Sequence, residues 1–484
     1  MIRPRIQFLE ESTIERVVDE AYQLLDDPGV KCSTDEPLKL FAEAGAKVDF
    51  FKRVARIPAG LIDEARNSVP SEVVLYDLAG KSRLALGGDE VHFHPLSAAM
   101  TVWDPETDQL RPPVGADLVK FIKVTEGLPK VDTLGSMFYC NDVPREVVDA
   151  YRMYLLLKYA NKPFVTGGFS VEGQKVMNDM ARAFRGGAEA LAEKPMVVMS
   201  ACSSAVLKWG FTADLLIMCS RDKIPTLICS MPMGGVAGPV TLIGSIVQDT
   251  AEALSGVVLS QLAQPGAPIL WQTGISLFDM SQCSVTFGSI ETLMANCGVA
   301  EVGKYLGFPT MNCLGLSDSK TVDAQQAMES TAGILLAALC RVNLASGMGM
   351  LASMTGHSCE SLVISHEAVG MARRLAEGIN DEMESLGLKV IREVGHEGDF
   401  LKTEHTSQWF RKESYFPMLI DRKSEDNWRA LGAKDMLQRA REKVEELVAN
   451  YKQPELAGDV AEEIDAIMGK YAAKYGMEEL PRSS

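Results

Sequence analysis

Very few residues in this sequence combine a reactive type with a position where a fold would expose it. There are only six histidines among 484 residues. None of the common signatures of a phosphate-binding Walker loop, an HExxH zinc site or a GxSxG nucleophile elbow is present. What remains is a set of short runs that follow apolar, strand-like segments: Tyr139 and Cys140, Gly167-Gly168-Phe169, Met231 to Gly235, Trp271-Gln272-Thr273, Leu316 to Lys320, and Gly347 to His357. His357 is the one histidine that follows a strand of the central alternating pattern, which makes it a candidate for acid–base or binding work. Lys320 could form a Schiff base only if it were desolvated, and Asp318 and Asp323 beside it favour its charged, unreactive form. Gly234-Gly235-Val-Ala-Gly238-Pro239 offers free backbone amides that could hold an anion; a tight strand-to-helix turn explains the same glycines equally well.

The elements that must carry these residues are legible from periodicity. Ser12 and Glu15 have capping-box spacing, and Ile14, Val17, Val18, Ala21, Leu24 and Leu25 share one face, which predicts a helix over 12–26. From 73 to 113, short extended runs separated by Gly-Gly, Pro and Asp-Pro-Glu-Thr predict a small antiparallel sheet that includes Val91-His92-Phe93. From 130 to 355, apolar runs at 134–139, 163–167, 195–200, 225–230, 268–273, 309–314 and 342–346 alternate with segments of helical length. Five of the seven open at or just after a proline, where a missing amide does least harm. Repeated strand–helix units imply a parallel sheet, and this number of them favours a TIM (β/α)8 barrel over an open sheet, with the eighth strand not located. The implied organisation is an N-terminal helical and antiparallel β region over 1–114, the barrel over 115–380, and a C-terminal helical extension over 381–484 that packs on the barrel.

Composition narrows the possible partners. With 65 acidic against 48 basic side chains the net charge is −17, which opposes binding to nucleic acid or to an anionic membrane surface. No stretch of about 18 apolar residues stands out as a membrane span, and the first residues lack the apolar core of a signal peptide. The ten cysteines contain no CxxC pair, so they read as buried free thiols with no metal site, in a reducing, cytoplasmic setting.

Five ordered motifs resemble one family. They are Met231-Pro-Met-Gly-Gly-Val-Ala-Gly-Pro-Val-Thr-Leu-Ile-Gly, Gln264-Pro-Gly-Ala-Pro, Phe287-Gly-Ser-Ile-Glu291, Ser317-Asp-Ser-Lys-Thr-Val-Asp-Ala-Gln325 and Glu404-His-Thr. In content and order they are similar to the trimethylamine methyltransferase family, across nearly the whole chain. The resemblance implies a TIM barrel that serves a separate protein carrying cobalamin. Archaeal trimethylamine enzymes of that family carry pyrrolysine, whereas every residue here is one of the usual twenty. The pyrrolysine-free members resemble glycine betaine methyltransferases, so the expected reaction moves a methyl group from a quaternary amine to the cobalt(I) corrinoid of a partner protein. His366 departs from the acid common in the family.

On that reading Tyr139, Phe169 and Trp271 are expected to form a partial cage around the ammonium, with Lys320, His357 or the Gly234 and Gly235 amides taking a substrate carboxylate. The full candidate set adds Gln272, Phe287, Glu291, Asn312 and Gln325 for substrate binding and Asp318 for catalysis. Two other readings stand beside it: a barrel lyase or aldolase working through Lys320, and a non-catalytic betaine-binding protein. A homo-oligomer is compatible with the helical C-terminus.

Overall fold

A computed structural model describes residues 3–481. Its centre is an eight-stranded parallel sheet: β1 (His92–His94), β2 (Leu134–Gly135), β3 (Phe164–Thr166), β4 (Val197–Cys202), β5 (Thr226–Ser230), β6 (Ile269–Thr273), β7 (Thr310–Cys313) and β8 (Leu344–Ser346). Each strand is followed by a helix: α1 (Gly115–Glu126), α2 (Val148–Tyr159), α3 (Val171–Arg185), α4 (Thr212–Arg221), α5 (Leu242–Ala263), α6 (Ile290–Tyr305), α7 (Ala324–Leu339) and α8 (Cys359–Glu377). This is the expected (β/α)8 barrel, and all seven expected strands are present, six of them shortened and the one expected at 195–200 shifted to Val197–Cys202.

The eighth strand is His92–His94, which pairs in parallel with Leu344–Ser346. It therefore does not belong to an antiparallel sheet, and the barrel begins before residue 115. Two histidines in a three-residue strand carry none of the apolar signal that marks its partners. The other runs between 73 and 113 also separate: Glu72–Tyr76 and Arg83–Gly87 form a hairpin, while Thr101–Asp104 and Gln109–Arg111 join Met350–Leu351 and Gly356–His357 in another sheet. No regular ladder joins β1 to β2. The seam is closed instead by Asp132, whose amide donates to Phe93 O and whose carboxylate accepts from Phe93 N at 2.8 Å and Arg373 Nη2 at 2.8 Å.

The N-terminal helix runs Glu11–Asp26 with Glu10 at its N-cap position, so it starts before Ser12 and the expected capping box does not form. Its buried face packs on α5, as does Ala59–Ser68. With the barrel on its other side, α5 is apolar nearly all round. It is the one helix among the described residues long and apolar enough to cross a membrane, a run the sequence reading did not single out, and 78% of that window is buried inside the fold. The C-terminal helix Met436–Asn450 buries Ala440, Val444 and Leu447 against α8 and α1, and Gly458–Lys474 packs on α3 and α2.

One glycine shows how tightly the barrel mouth is built. A Cβ on Gly135 would lie 1.9 Å from Leu96 O. Gly135→Ala is expected to destabilise the protein by about 1–3 kcal/mol through overpacking and to displace Leu96. Urea titration measures the first effect, and a stability equal to the parent would refute it.

Candidate functional site

The C-terminal ends of the strands enclose a cavity of about 310 Å³. Side chains alternate along a strand, so parity decides which of them reach it. From β4 come Ser200 and Cys202, from β5 Leu227 and Cys229, from β6 Gln272, and from β7 Met311 and Cys313. The floor and walls are completed by His94, Ser97, Arg152, Thr166, Met231 and Met354, and Phe169 and Phe211 stand at the opening, 39% and 42% exposed. Three backbone positions here are held in the left-handed region although each bears a side chain: Leu96 (φ 86°), Ala98 (φ 72°) and Met354 (φ 74°). Such conformations cost roughly 1–3 kcal/mol each and concentrate at ligand sites.

The polar groups of this cavity are few and unusual. Arg152, on α2, is 1% exposed. Its Nε donates to Ser136 O at 2.9 Å, and its Nη2 donates to Ser97 Oγ at 2.8 Å, to Ser136 Oγ at 2.6 Å and to Ser136 O. The guanidinium also lies 4.9 Å from the Phe169 ring centroid. Burial lowers its pKa to about 10, which still leaves it charged. His94 is fully buried with Nδ1 2.9 Å from Thr133 Oγ1, and burial drives its pKa down to about 3, so it is neutral at ordinary pH. Cys202 and Cys229 are aligned partners on neighbouring strands. The hydrogen bond between their thiols draws the Cys202 pKa down and pushes that of Cys229 up.

The candidates from sequence divide sharply. Phe169 and Gln272 line the cavity, and Tyr139 stacks on Phe169 with centroids 5.8 Å apart. Trp271 does not face it: the residue beside Gln272 must point outward, where its ring packs 5.6 Å from Phe308 in a fully buried layer between β6 and α6. Asn312 likewise points outward, its Nδ2 donating to Asn296 O at 3.0 Å. His357 is enclosed by Phe121 and Phe138, edge-on at 5.1 and 5.6 Å, away from the mouth. Lys320 is exposed and donates to Asp318 O at 2.6 Å, so it lacks the apolar pocket a Schiff-base lysine needs. Asp318 accepts from Phe287 N and Gly288 N, both at 2.9 Å, and from Ser353 Oγ at 2.8 Å, which makes it a clasp between loops. Phe287 is buried in that clasp, while Glu291 and Gln325 are exposed. Gly234 lies in a short strand paired with Ser276–Asp279, and Gly235 follows it in a left-handed turn (φ 92°), outside the cavity lining.

Sequence reasoning missed His94, Arg152 and the thiols of Cys202, Cys229 and Cys313. Arg152 gave no signal, because it lies inside a helix of ordinary composition. All ten cysteines are unpaired, eight of them buried, and no group among the described residues is arranged to hold a metal ion. Cys283 is exposed and Cys202 is partly so, whereas the other eight are buried. With Cys283→Ser as the starting protein, iodoacetamide is expected to label Cys202 before any other thiol, as peptide mass spectrometry would show. First labelling at a different cysteine would contradict this placement.

Known proteins match this chain over most of its length. The trimethylamine methyltransferase of Desulfitobacterium hafniense is 30% identical over 456 residues, covering 94% of this chain and 92% of its own. The glycine betaine methyltransferase of the same species is 27% identical over 481 residues, with 98% and 99% covered. The solved Methanosarcina barkeri monomethylamine methyltransferase, only 13% identical, superimposes with a TM-score of 0.54 over 92% of this chain and 89% of its own, a likeness of fold. The profile of the family described as Trimethylamine methyltransferase (MTTB) matches residues 2–476, and the chain belongs to that family.

Proposed function

We propose that this chain transfers one methyl group from a quaternary amine, glycine betaine first among them, to the reduced corrinoid of a partner protein, leaving dimethylglycine or the equivalent tertiary amine. The observation that carries the reading is the cavity lining. Among the described residues it contains no carboxyl group, and its only histidine is held neutral. A quaternary nitrogen is already positive and leaves as a neutral amine, so such a site needs no general acid. Removing a methyl group from unprotonated trimethylamine would require an activating group that this lining does not offer. The full-length similarity to a glycine betaine methyltransferase points the same way.

The corrinoid, carried by its own protein, would supply a strong nucleophile in its cobalt(I) state. The mouth fits a broad, partly apolar partner: Phe169, Phe211, Val236, Val240 and Met280, on the loops after β3, β4, β5 and β6, are 39% to 66% exposed. The chain's own task is to orient the amine, exclude water and present one methyl group outward. A loose cradle of Met231, Met311 and thiol side chains suits that task, because tight ammonium binding would favour the ground state over a transition state that is losing its charge.

The test is a panel of amines mixed with chemically reduced cobalamin. Glycine betaine is expected to give methylcobalamin and dimethylglycine in equal amounts, with cobalt(II) inert. If trimethylamine outperforms every quaternary amine, or no methyl group moves, the proposal fails.

A further inference from the structure

We infer that Arg152, assisted by His94, is an anion-binding subsite in the wall of the cavity, and that the amine this protein accepts carries a carboxylate or comparable anionic group. This deepens the functional proposal and rests on it for the identity of the amine.

The geometry starts from an imbalance. Among the described residues Arg152 is the only charged side chain lining the cavity, and it is buried. Its hydrogen bonds all go to neutral oxygens of Ser97 and Ser136, and among the described residues it forms no ion pair with a carboxylate. Asp149, on the same helix, has its oxygens turned to the amides of Ala150 and Phe169, each at 2.8 Å. Asp149 attracts the guanidinium only through space and not through a hydrogen bond, and a buried guanidinium held without a direct carboxylate partner is costly. Nη1 is the clearest sign of what is missing: it is buried, it has no hydrogen-bond partner, and the side chain borders the cavity.

His94 supplies a second unsatisfied group in the same place. Its Nε2 is buried without a partner, while Nδ1 meets the Thr133 hydroxyl. When that hydroxyl donates to Nδ1, the ring proton sits on Nε2 and makes it a free donor on a residue that lines the cavity. Two donors from different strands and helices, one of them charged, match the two oxygens of a carboxylate. The serines that fix Nε and Nη2 hold the guanidinium plane so that Nη1 is left for the ligand. The remaining walls are apolar or sulfur-bearing and suit the N-methyl groups of a zwitterion at the other end. A bare cation such as choline or tetramethylammonium would face Arg152 with nothing to neutralise it.

Calorimetry without any cobalamin tests this directly on the unmodified chain. Glycine betaine is expected to bind about ten- to a hundredfold more tightly than choline or tetramethylammonium. Arg152→Met should remove most of that preference by weakening glycine betaine while leaving choline no worse, and Ser97→Ala should weaken glycine betaine by a smaller factor. If Arg152→Met does not fold, as judged by circular dichroism, the ligand panel on the parent and the Ser97→Ala variant decide. Equal affinity of the parent for choline and glycine betaine overturns the subsite. The two proposals fail separately. Equal methyl transfer from choline and glycine betaine would sink the anion subsite and keep the transfer. Arg152-dependent binding of glycine betaine with no methyl group ever reaching cobalamin would sink the transfer and keep the subsite.

Discussion

Between pH 7 and pH 5 three buried histidines are expected to cost the protein several kcal/mol of stability. His94, His357 and His366 are 0%, 0% and 2% exposed, and burial lowers the pKa of each to about 3. For His366 the neighbouring Lys130, Lys162, Arg373 and Lys443 push in the same direction. In the unfolded chain a histidine takes up its proton near pH 6.5. The native state refuses that proton until about pH 3, so the unfolded state binds more protons throughout the interval and stability falls as the pH falls. Each such group contributes about 1.4 kcal/mol per pH unit below 6.5, so three together approach about 4 kcal/mol per unit and about 6 kcal/mol by pH 5. That is comparable with the whole stability of a typical domain, roughly 5–15 kcal/mol. Urea unfolding at pH 7.5, 6.5 and 5.5 measures the slope, and His366→Gln should reduce it. A stability flat to within about 1 kcal/mol from pH 7 to pH 5 would mean that these imidazoles are not buried in neutral form.

Trp271→Ala is expected to destabilise the fold by about 3–5 kcal/mol, the range for removing a large aromatic side chain from a core, while leaving substrate affinity nearly intact. The indole is fully buried against Phe308, and it is so close to α6 that a Cβ on Gly303 would lie 2.6 Å from Trp271 Cδ1. Its Nε1 has no hydrogen-bond partner, so the loss is one of packing and of apolar burial alone. The neighbouring Gln272→Ala should do the opposite: modest loss of stability and altered binding, because Gln272 borders the cavity and donates to Cys313 Sγ at 3.4 Å. Calorimetry at a temperature where Trp271→Ala remains folded separates the two. If that variant binds glycine betaine more than about tenfold weaker, equivalent to about 1.4 kcal/mol, Trp271 takes part in the site after all.

The class of fold and the family were legible from residue order alone. Strand-like runs opening near Pro163, Pro195, Pro225, Pro268 and Pro309 all became barrel strands, because a proline at a strand start sacrifices no ladder hydrogen bond and the alternation with helical segments admits few topologies. The rule that chemistry gathers at the C-terminal ends of barrel strands brought Phe169 and Gln272 to the cavity. What the sequence did not carry was parity. A strand buried on both faces reads as apolar throughout, so nothing in Ile-Leu-Trp-Gln-Thr says that Gln272 looks inward and Trp271 outward, nor that Met311 and Cys313 look inward while Asn312 turns away. Those assignments follow from register with neighbouring strands, which only the closed barrel fixes. The same holds for His94 and Arg152. One lies in a three-residue strand and the other inside a helix, and their significance arises only where the tertiary fold buries each of them with a nitrogen that finds no partner in the chain.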